Sequence, residues 1–195
     1  LIFVSTSKVY TNSDSILNEN SEKQVKTPYQ KTKLLAEDLI RTNLSETKYH
    51  IIQPPIIVGR YEKGNLNLLK KLFTIVPLWP LGAFKNKKSV ISYENFQFFI
   101  EKLILKQPES NTYIICDDQE ISTIELIKNK FPRILILNTG KRFWIVLAKL
   151  LTLLKFNFFN KEVLNKIILS ETYSNEKIKK DLNINETIYD IAKTQ

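Results

Sequence analysis

Two short strand-like runs bracket one amphipathic stretch, and that order limits the fold more than any other feature of the chain. Leu1 to Ser5 is continuously apolar, as expected of a strand covered on both faces in a parallel sheet. Tyr49 to Gln53 reads as a second buried strand, stopped by Pro54-Pro55. Between them Pro28 opens a helix running to about Leu44, in which Leu34, Leu35, Leu39 and Ile40 recur at helical spacing. Thr11 to Lys26, rich in Asn and Ser, reads as a surface loop. Strand, helix, strand at this rhythm predicts an α/β domain with a parallel sheet.

The rest of the chain keeps the alternation. Ile56 to Gly59 leads into a loop, and Asn65 to Thr74 reads as a helix carrying Leu66, Leu68, Leu69 and Leu72. Pro77 and Pro80 then break the chain. Ser89 to Ser92 is extended, Tyr93 to Leu105 a helix, Thr112 to Cys116 a strand, Ser122 to Phe131 a helix and Arg133 to Leu137 a strand. Helices follow around 142–155, 161–169 and 175–182. Two adjacent parallel strands make a poor sheet by themselves, because faces and edges both need cover. The pattern therefore asks for strands ahead of Leu1.

Composition narrows the chemistry by exclusion. With 195 residues the chain suits one domain or two small lobes, and 43% hydrophobic content supports a buried core. A net charge of +9 favours an anionic partner: nucleic acid, a phospholipid surface or a phosphorylated small molecule. The basic residues are scattered, however, and the one short cluster is Lys85-Asn86-Lys87-Lys88. Cys116 is the single cysteine and His50 the single histidine, each in a strand-like run that explains it as core. That count excludes an intramolecular disulfide, a cysteine zinc site, an imidazole metal site and a Ser-His-Asp or Cys-His mechanism. No metal is expected. The most hydrophobic stretch, Phe143 to Leu154, is interrupted by Lys149 and closed by Lys155, short of the ~18 to 20 residues of a membrane span. It reads as a core helix, with a membrane-surface helix as the alternative, and a cytoplasmic location is expected.

Tyr29 and Lys33 stand four residues apart, hence on one helix face. An ammonium held near a phenol stabilises the phenolate and so eases proton transfer. A hydroxyl from the neighbouring strand end, Thr6 or Ser5, can hydrogen-bond the same substrate oxygen. Together they suit carbonyl/alcohol redox chemistry, which needs a hydride carrier, a nicotinamide or a flavin. Tyr173 with Lys177 and Tyr189 with Lys193 repeat the spacing. Neither follows a strand ending in hydroxyls, so both are expected on solvated helix faces.

In these segments the chain resembles the extended short-chain dehydrogenase/reductase family of sugar-nucleotide epimerases, dehydratases and reductases. Leu1-Ile-Phe-Val-Ser-Thr-Ser-Lys-Val-Tyr10 is similar to the family's strand with the catalytic hydroxyl, a role that falls on Thr6. Pro28-Tyr-Gln-Lys-Thr-Lys-Leu-Leu-Ala-Glu37 is similar to its catalytic helix. Gln53-Pro-Pro-Ile-Ile-Val-Gly59 resembles its Arg-Pro segment under the nicotinamide, with Gln53 where Arg is usual. The resemblance implies catalytic Thr6, Tyr29 and Lys33, and cofactor contacts from Ser5, Tyr29, Lys33, Pro54 and Pro55. It also implies that Asn65, Lys87 and Lys88 hold the nucleotide diphosphate; Lys keeps the charge of the usual Arg but loses its bidentate fork.

The same resemblance implies an NAD- or NADP-dependent epimerase or 4-ketoreductase acting at C4 of a UDP-sugar for surface polysaccharide. Residues 1–60 would be the C-terminal piece of a Rossmann domain. Residues 61–195 would form a small α/β substrate-binding lobe, with about 86–110 packing back on the first part. A homodimer through the helix of Tyr29 is implied too. The chief departure is the family's glycine-rich turn, which binds the cofactor pyrophosphate: the chain has 4 Gly and none in that pattern. The expectation is therefore a C-terminal portion of such an enzyme: a fragment, the product of a truncated gene, or a chain whose first half is a separate polypeptide. Two alternatives stand beside it: an inactive truncated relative serving as an interaction module, and a basic protein binding nucleic acid or an anionic membrane.

Overall fold

The computed structural model describes residues 1–11, 15–59, 73–74, 77–79, 82–83, 85–140 and 169–185. Asn65, most of the helix expected over 65–74, the helix expected around 142–155, all but the last residue of the helix expected around 161–169, and the Tyr189–Lys193 pair lie outside the described residues. The chain divides into two compact units. One comprises Leu1–Tyr61, Ser89–Glu120 and Glu171–Thr194; the other comprises Glu62–Lys88, Ile121–Ser170 and Gln195.

The first unit is built on three parallel strands in the order β1-β2-β6: β1 (Ile2–Val4), β2 (His50–Gln53) and β6 (Asn111–Ile114). Ile2 pairs with His50 and Val4 with Ile52, while Ile52 in turn pairs with Tyr113. Strand β2 is buried at every position, as a central strand should be. Strand β1 departs from the expectation of burial on both faces: it lies at the sheet edge and Val4 is 40% exposed. Helix α1 (Pro28–Asn43) starts where Thr27 and Gln30 form a reciprocal capping box and Pro28 occupies the first turn. Residues Ile56–Val58, expected to lead into a loop, form β3 and pair in parallel with β5 (Val90–Ser92). That pairing spans more than thirty positions of sequence, and local pattern carries no sign of it.

Directly after β5, Ser92 caps α2 (Tyr93–Lys106) by accepting from Asn95 N. A Cβ on Gly59 would come within 2.8 Å of Tyr93 Cβ, so this position admits only glycine without a shift. The core on the α2 side joins Ile52 and Tyr113 of the sheet to Phe99 and Leu103 of α2 and to Ile178 and Leu182 near the C-terminal helix. The opposite face packs Val9, Tyr10, Leu17, Ile114, Cys116 and Tyr173. The register puts Ile52 and Tyr113 on one side of the sheet and Gln53 and Ile114 on the other, so α2 and α1 cover opposite faces.

Tyr173 and Lys177 are not on a solvated helix face. Tyr173 is buried, bridges to Leu17 and precedes the last helix. The Lys177 ammonium donates to Asn111 Oδ1 and Thr112 O, capping the outer edge of β6. The second unit pairs β4 (Leu78–Trp79) with β7 (Leu135–Ile136) in parallel. Its α3 (Thr123–Lys130) begins with a capping box between Ser122 and Glu125, and Phe73 stacks edge-on against both Trp79 and Phe131. The last described helix, α4 (Glu176–Asp181), belongs to the first unit. No helix among the described residues is long and apolar enough to cross a membrane, and none of them form a cluster that could hold a metal ion.

Candidate active site at the carboxyl ends of β1 and β2

In parallel α/β sheets, ligands gather outside the carboxyl ends of the strands. Here those ends are drawn together by backbone bonds. Ser5 N donates to Ile52 O at 2.7 Å and Ser7 N to Pro54 O at 3.0 Å. Thr6, between them, ends the extended stretch and caps the short 3₁₀ turn Ser7–Val9 by accepting from Lys8 N. Ser5, Thr6 and Pro54 are buried and Pro55 half-buried, so the corner is rigidly built.

Helix α1 lies along this corner. Its first turn is tied down by Gln30 Nε2, which donates to Lys8 O at 2.5 Å. Tyr29 is 54% exposed, with its ring reachable from solvent. The Lys33 ammonium donates to Val4 O at 2.9 Å and lies 5.9 Å from the Tyr29 ring centroid and 5.0 Å from that of Phe3. Thus Ser5, Thr6, Tyr29, Lys33, Pro54 and Pro55 all belong to one face-and-corner of the first unit. The Tyr29–Lys33 pair sits beside the strand end that carries the hydroxyls.

Beneath this surface lies a network that sequence reasoning missed. Glu37, one turn after Lys33, is fully buried. It accepts from Ser5 Oγ at 2.5 Å, Gln53 Nε2 at 2.7 Å and Arg41 Nη2 at 2.7 Å, with Lys23 Nζ at 3.4 Å. Gln53 Oε1 in turn accepts from Tyr10 Oη at 2.6 Å, and Arg41 also reaches Thr112 Oγ1 and Asp38. Burial alone would raise the Glu37 carboxyl. The hydrogen bonds from Ser5, Gln53 and Arg41 and the charge of Lys23 outweigh it and hold the group below the ordinary Glu range. The same burial, with Glu19 and Glu37 nearby, pushes the Tyr10 phenol up and keeps it neutral. The available signal was the ladder Tyr29, Lys33, Glu37, Arg41, four polar residues at steps of four on a helix whose apolar residues attracted the attention.

The remaining candidates sit in the second unit. Asn86, buried, donates to Thr123 Oγ1 and Leu169 O and accepts from Thr123 N, so it braces the start of α3. Lys87 is exposed and Lys88 buried, their backbones bonded to Ser170 Oγ and to Ile121. Alternation of an extended chain thus sends the two ammonium groups opposite ways. Cys116 and His50 are buried: burial pushes the thiol up and the imidazole down, so both stay neutral.

Comparison with known proteins agrees with the motifs. Residues 1–87, less than half the chain, match an NAD-binding family model described as Male sterility protein. No curated protein matches by sequence. Among solved structures, the chain is similar to UDP-glucuronic acid 4-epimerase of Bacillus cereus in complex with NAD, at 15% identity and a TM-score of 0.70, covering 98% of this chain and 57% of that one. UDP-N-acetylglucosamine 4-epimerase of Bacillus cereus gives 15% identity and 0.65, covering 98% and 60%. RMD of Pseudomonas aeruginosa complexed with NADPH gives 14% and 0.67, covering 98% and 61%. The fold is the Rossmann-like, mixed α/β one of these solved structures. The chain spans 57 to 61% of the length of these three structures.

Proposed function

We propose that these residues form the catalytic portion of an NAD(P)-dependent sugar-nucleotide epimerase or 4-ketoreductase. The observation that carries this reading is the Lys33 ammonium on Val4 O, two residues before Thr6 and 5.9 Å from the Tyr29 ring, on the segment that matches an NAD-binding model. The corner fits the nicotinamide end of such a cofactor. Pro54 closes it from β2, Ser5 and Thr6 from β1, and Lys33 supplies a cation from α1. When bound, the nicotinamide takes or returns hydride at C4 of the sugar.

The protein's own groups manage the proton. Tyr29 gives a proton to the sugar oxygen as hydride arrives at carbon, or takes one in reverse. Thr6 hydrogen-bonds the same oxygen and orients it. Lys33, 5.9 Å from the Tyr29 ring centroid, contacts the ribose. Residues 1–60 supply this chemistry within the first unit, and the second unit, Glu62–Lys88 with Ile121–Ser170, serves as the substrate lobe, with Asn65 and the exposed Lys87 on the diphosphate. The glycine-rich turn for the cofactor's pyrophosphate is assigned, on this reading, to an N-terminal half of the enzyme.

Calorimetric titration of the 195-residue chain with NADH, NADPH and UDP-N-acetylglucosamine tests this. UDP-sugar binding without nicotinamide binding supports a portion that depends on its other half. Mixing with such a half should then restore reductase or epimerase activity, abolished by Tyr29→Phe. Binding to heparin or DNA that vanishes at moderate salt, with no response to UDP-sugar, would overturn the reading.

A further inference from the structure

We infer that Glu37 is a positioning residue, a single buried carboxylate that fixes the strand end carrying Thr6 against the helix face carrying Tyr29 and Lys33. The inference rests on the catalytic reading of those three residues given above.

Three facts carry it. First, Glu37 is on the same helical stripe as Tyr29 and Lys33, at steps of four, so whatever holds Glu37 also sets the rotation of that stripe. Second, its bonds leave α1 in the right directions: to Ser5, the residue before Thr6, and to Gln53, the residue before Pro54. Thr6 and Pro54, the strand-end residues of the candidate corner, therefore each follow directly on a residue whose side chain is bonded to this carboxylate. Third, the carboxylate is held from its own helix as well. Arg41 sits one turn on, bonds Glu37 and extends to Thr112 on the third strand.

Hydrogen bonds are directional, whereas apolar contacts tolerate sliding. Glu37 is the one fully buried residue of α1, with Leu34 partly buried against the apolar cluster beside it, so the network adds direction to that apolar contact. A purely architectural anchor would hold the helix on without regard to the Thr6–Tyr29 geometry. A positioning residue makes that geometry depend on its charge and shape.

The test is spectroscopic and uses the whole chain. With ¹³C-methyl threonine and ¹³C-ring tyrosine, the Thr6 and Tyr29 signals are identified by their loss in Thr6→Ser and Tyr29→Phe. In folded Glu37→Gln, both signals are expected to move or broaden beyond the line width while the Thr123 signal stays. Arg41→Lys, which keeps a cation but loses the fork, is expected to move the same two signals less, and Asp38→Asn to leave them in place. If Glu37→Gln does not fold, Arg41→Lys decides. Thr6 and Tyr29 signals unmoved in a folded variant would overturn the inference. A chain that binds no nucleotide would overturn the proposed reaction and leave this readout intact.

Discussion

Helices α1 and α2 cover opposite faces of one three-stranded sheet, yet they are attached by different forces. The α2 side is apolar: Phe99 and Leu103 are completely or almost completely buried against Ile52 and Tyr113. The α1 helix, two residues longer, buries one side chain, and that side chain is a carboxylate. Leu35 and Leu39, which periodicity marks as core, are 52% and 62% exposed. Apolar burial sets how firmly a helix is held, and a bonded network sets where. The helix with the candidate catalytic groups is the one placed by the network.

The two faces also hold buried carboxyls with opposite fates. Glu37 has a guanidinium and an ammonium for company and stays ionised. Asp117 has neutral donors, Ser92 N at 3.0 Å and Asn95 Nδ2 at 2.7 Å, and a like charge in Asp118. Burial pushes it from 3.8 up to about 6.

Cutting into the apolar face should cost most. Phe99→Ala is expected to lower the unfolding free energy by about 3–5 kcal/mol in urea denaturation, the range for a deleted buried aromatic. A loss below about 1 kcal/mol would mean that α2 is not the main apolar anchor. Next comes the polar face. Glu37→Ala leaves Arg41 and Gln53 without their shared acceptor and should cost about 3 kcal/mol, since removing one partner strands the others. In a cycle with Arg41→Ala, the two losses should fall short of additive by about 1–3 kcal/mol. Additive losses would sink the network account.

The pH dependences should diverge as well. For Glu37 the folded-state value is depressed, so its stabilisation is present above the ordinary Glu range and is lost as pH falls below it. For Asp117 the folded-state value is raised. The protonated form is favoured in the folded protein, and stability declines as pH climbs from about 4 through about 6. Asp117→Asn should remove that decline. Relative to the parent chain, its unfolding free energy should rise by about 2–3 kcal/mol between pH 4 and pH 8, from the two-unit shift. A constant difference across that range would show that Asp117 titrates as an ordinary carboxyl.

The contrast between the two faces also explains what could be read from sequence. Strand β2 and helix α2 were legible because an unbroken apolar run and an amphipathic period each have one stable solution. Thr6, Tyr29 and Lys33 could be picked out as candidates because a hydroxyl-bearing strand end and a capped helix are local features. The Glu37 network was not, since Ser5, Gln53 and Arg41 meet only after β1, α1 and β2 have packed. The β3–β5 pairing and the burial of Tyr173 against Leu17 fail for the same reason: their partners are remote in sequence. The apolar residues of α1 misled in a different way. Leu35 and Leu39 keep the helical period but face away from the sheet, because the polar stripe has taken the buried side.

That last point gives the smallest effect and the sharpest control. If α1 is held by its polar stripe, Leu39 contributes little to folding of the single chain. Leu39→Ser should then change the unfolding free energy by less than about 0.5 kcal/mol at low protein concentration, as for exposed positions generally. The same substitution in the last turn of α2, at Leu103, should cost several times more, because Leu103 is 1% exposed. Should Leu39→Ser instead cost 2 kcal/mol or more, with a loss that grows as protein concentration rises, the outer face of α1 would be packing against a second copy. A large loss independent of concentration would mean that the apolar stripe, not Glu37, carries the helix. The distinction between the two faces of the sheet would then fail.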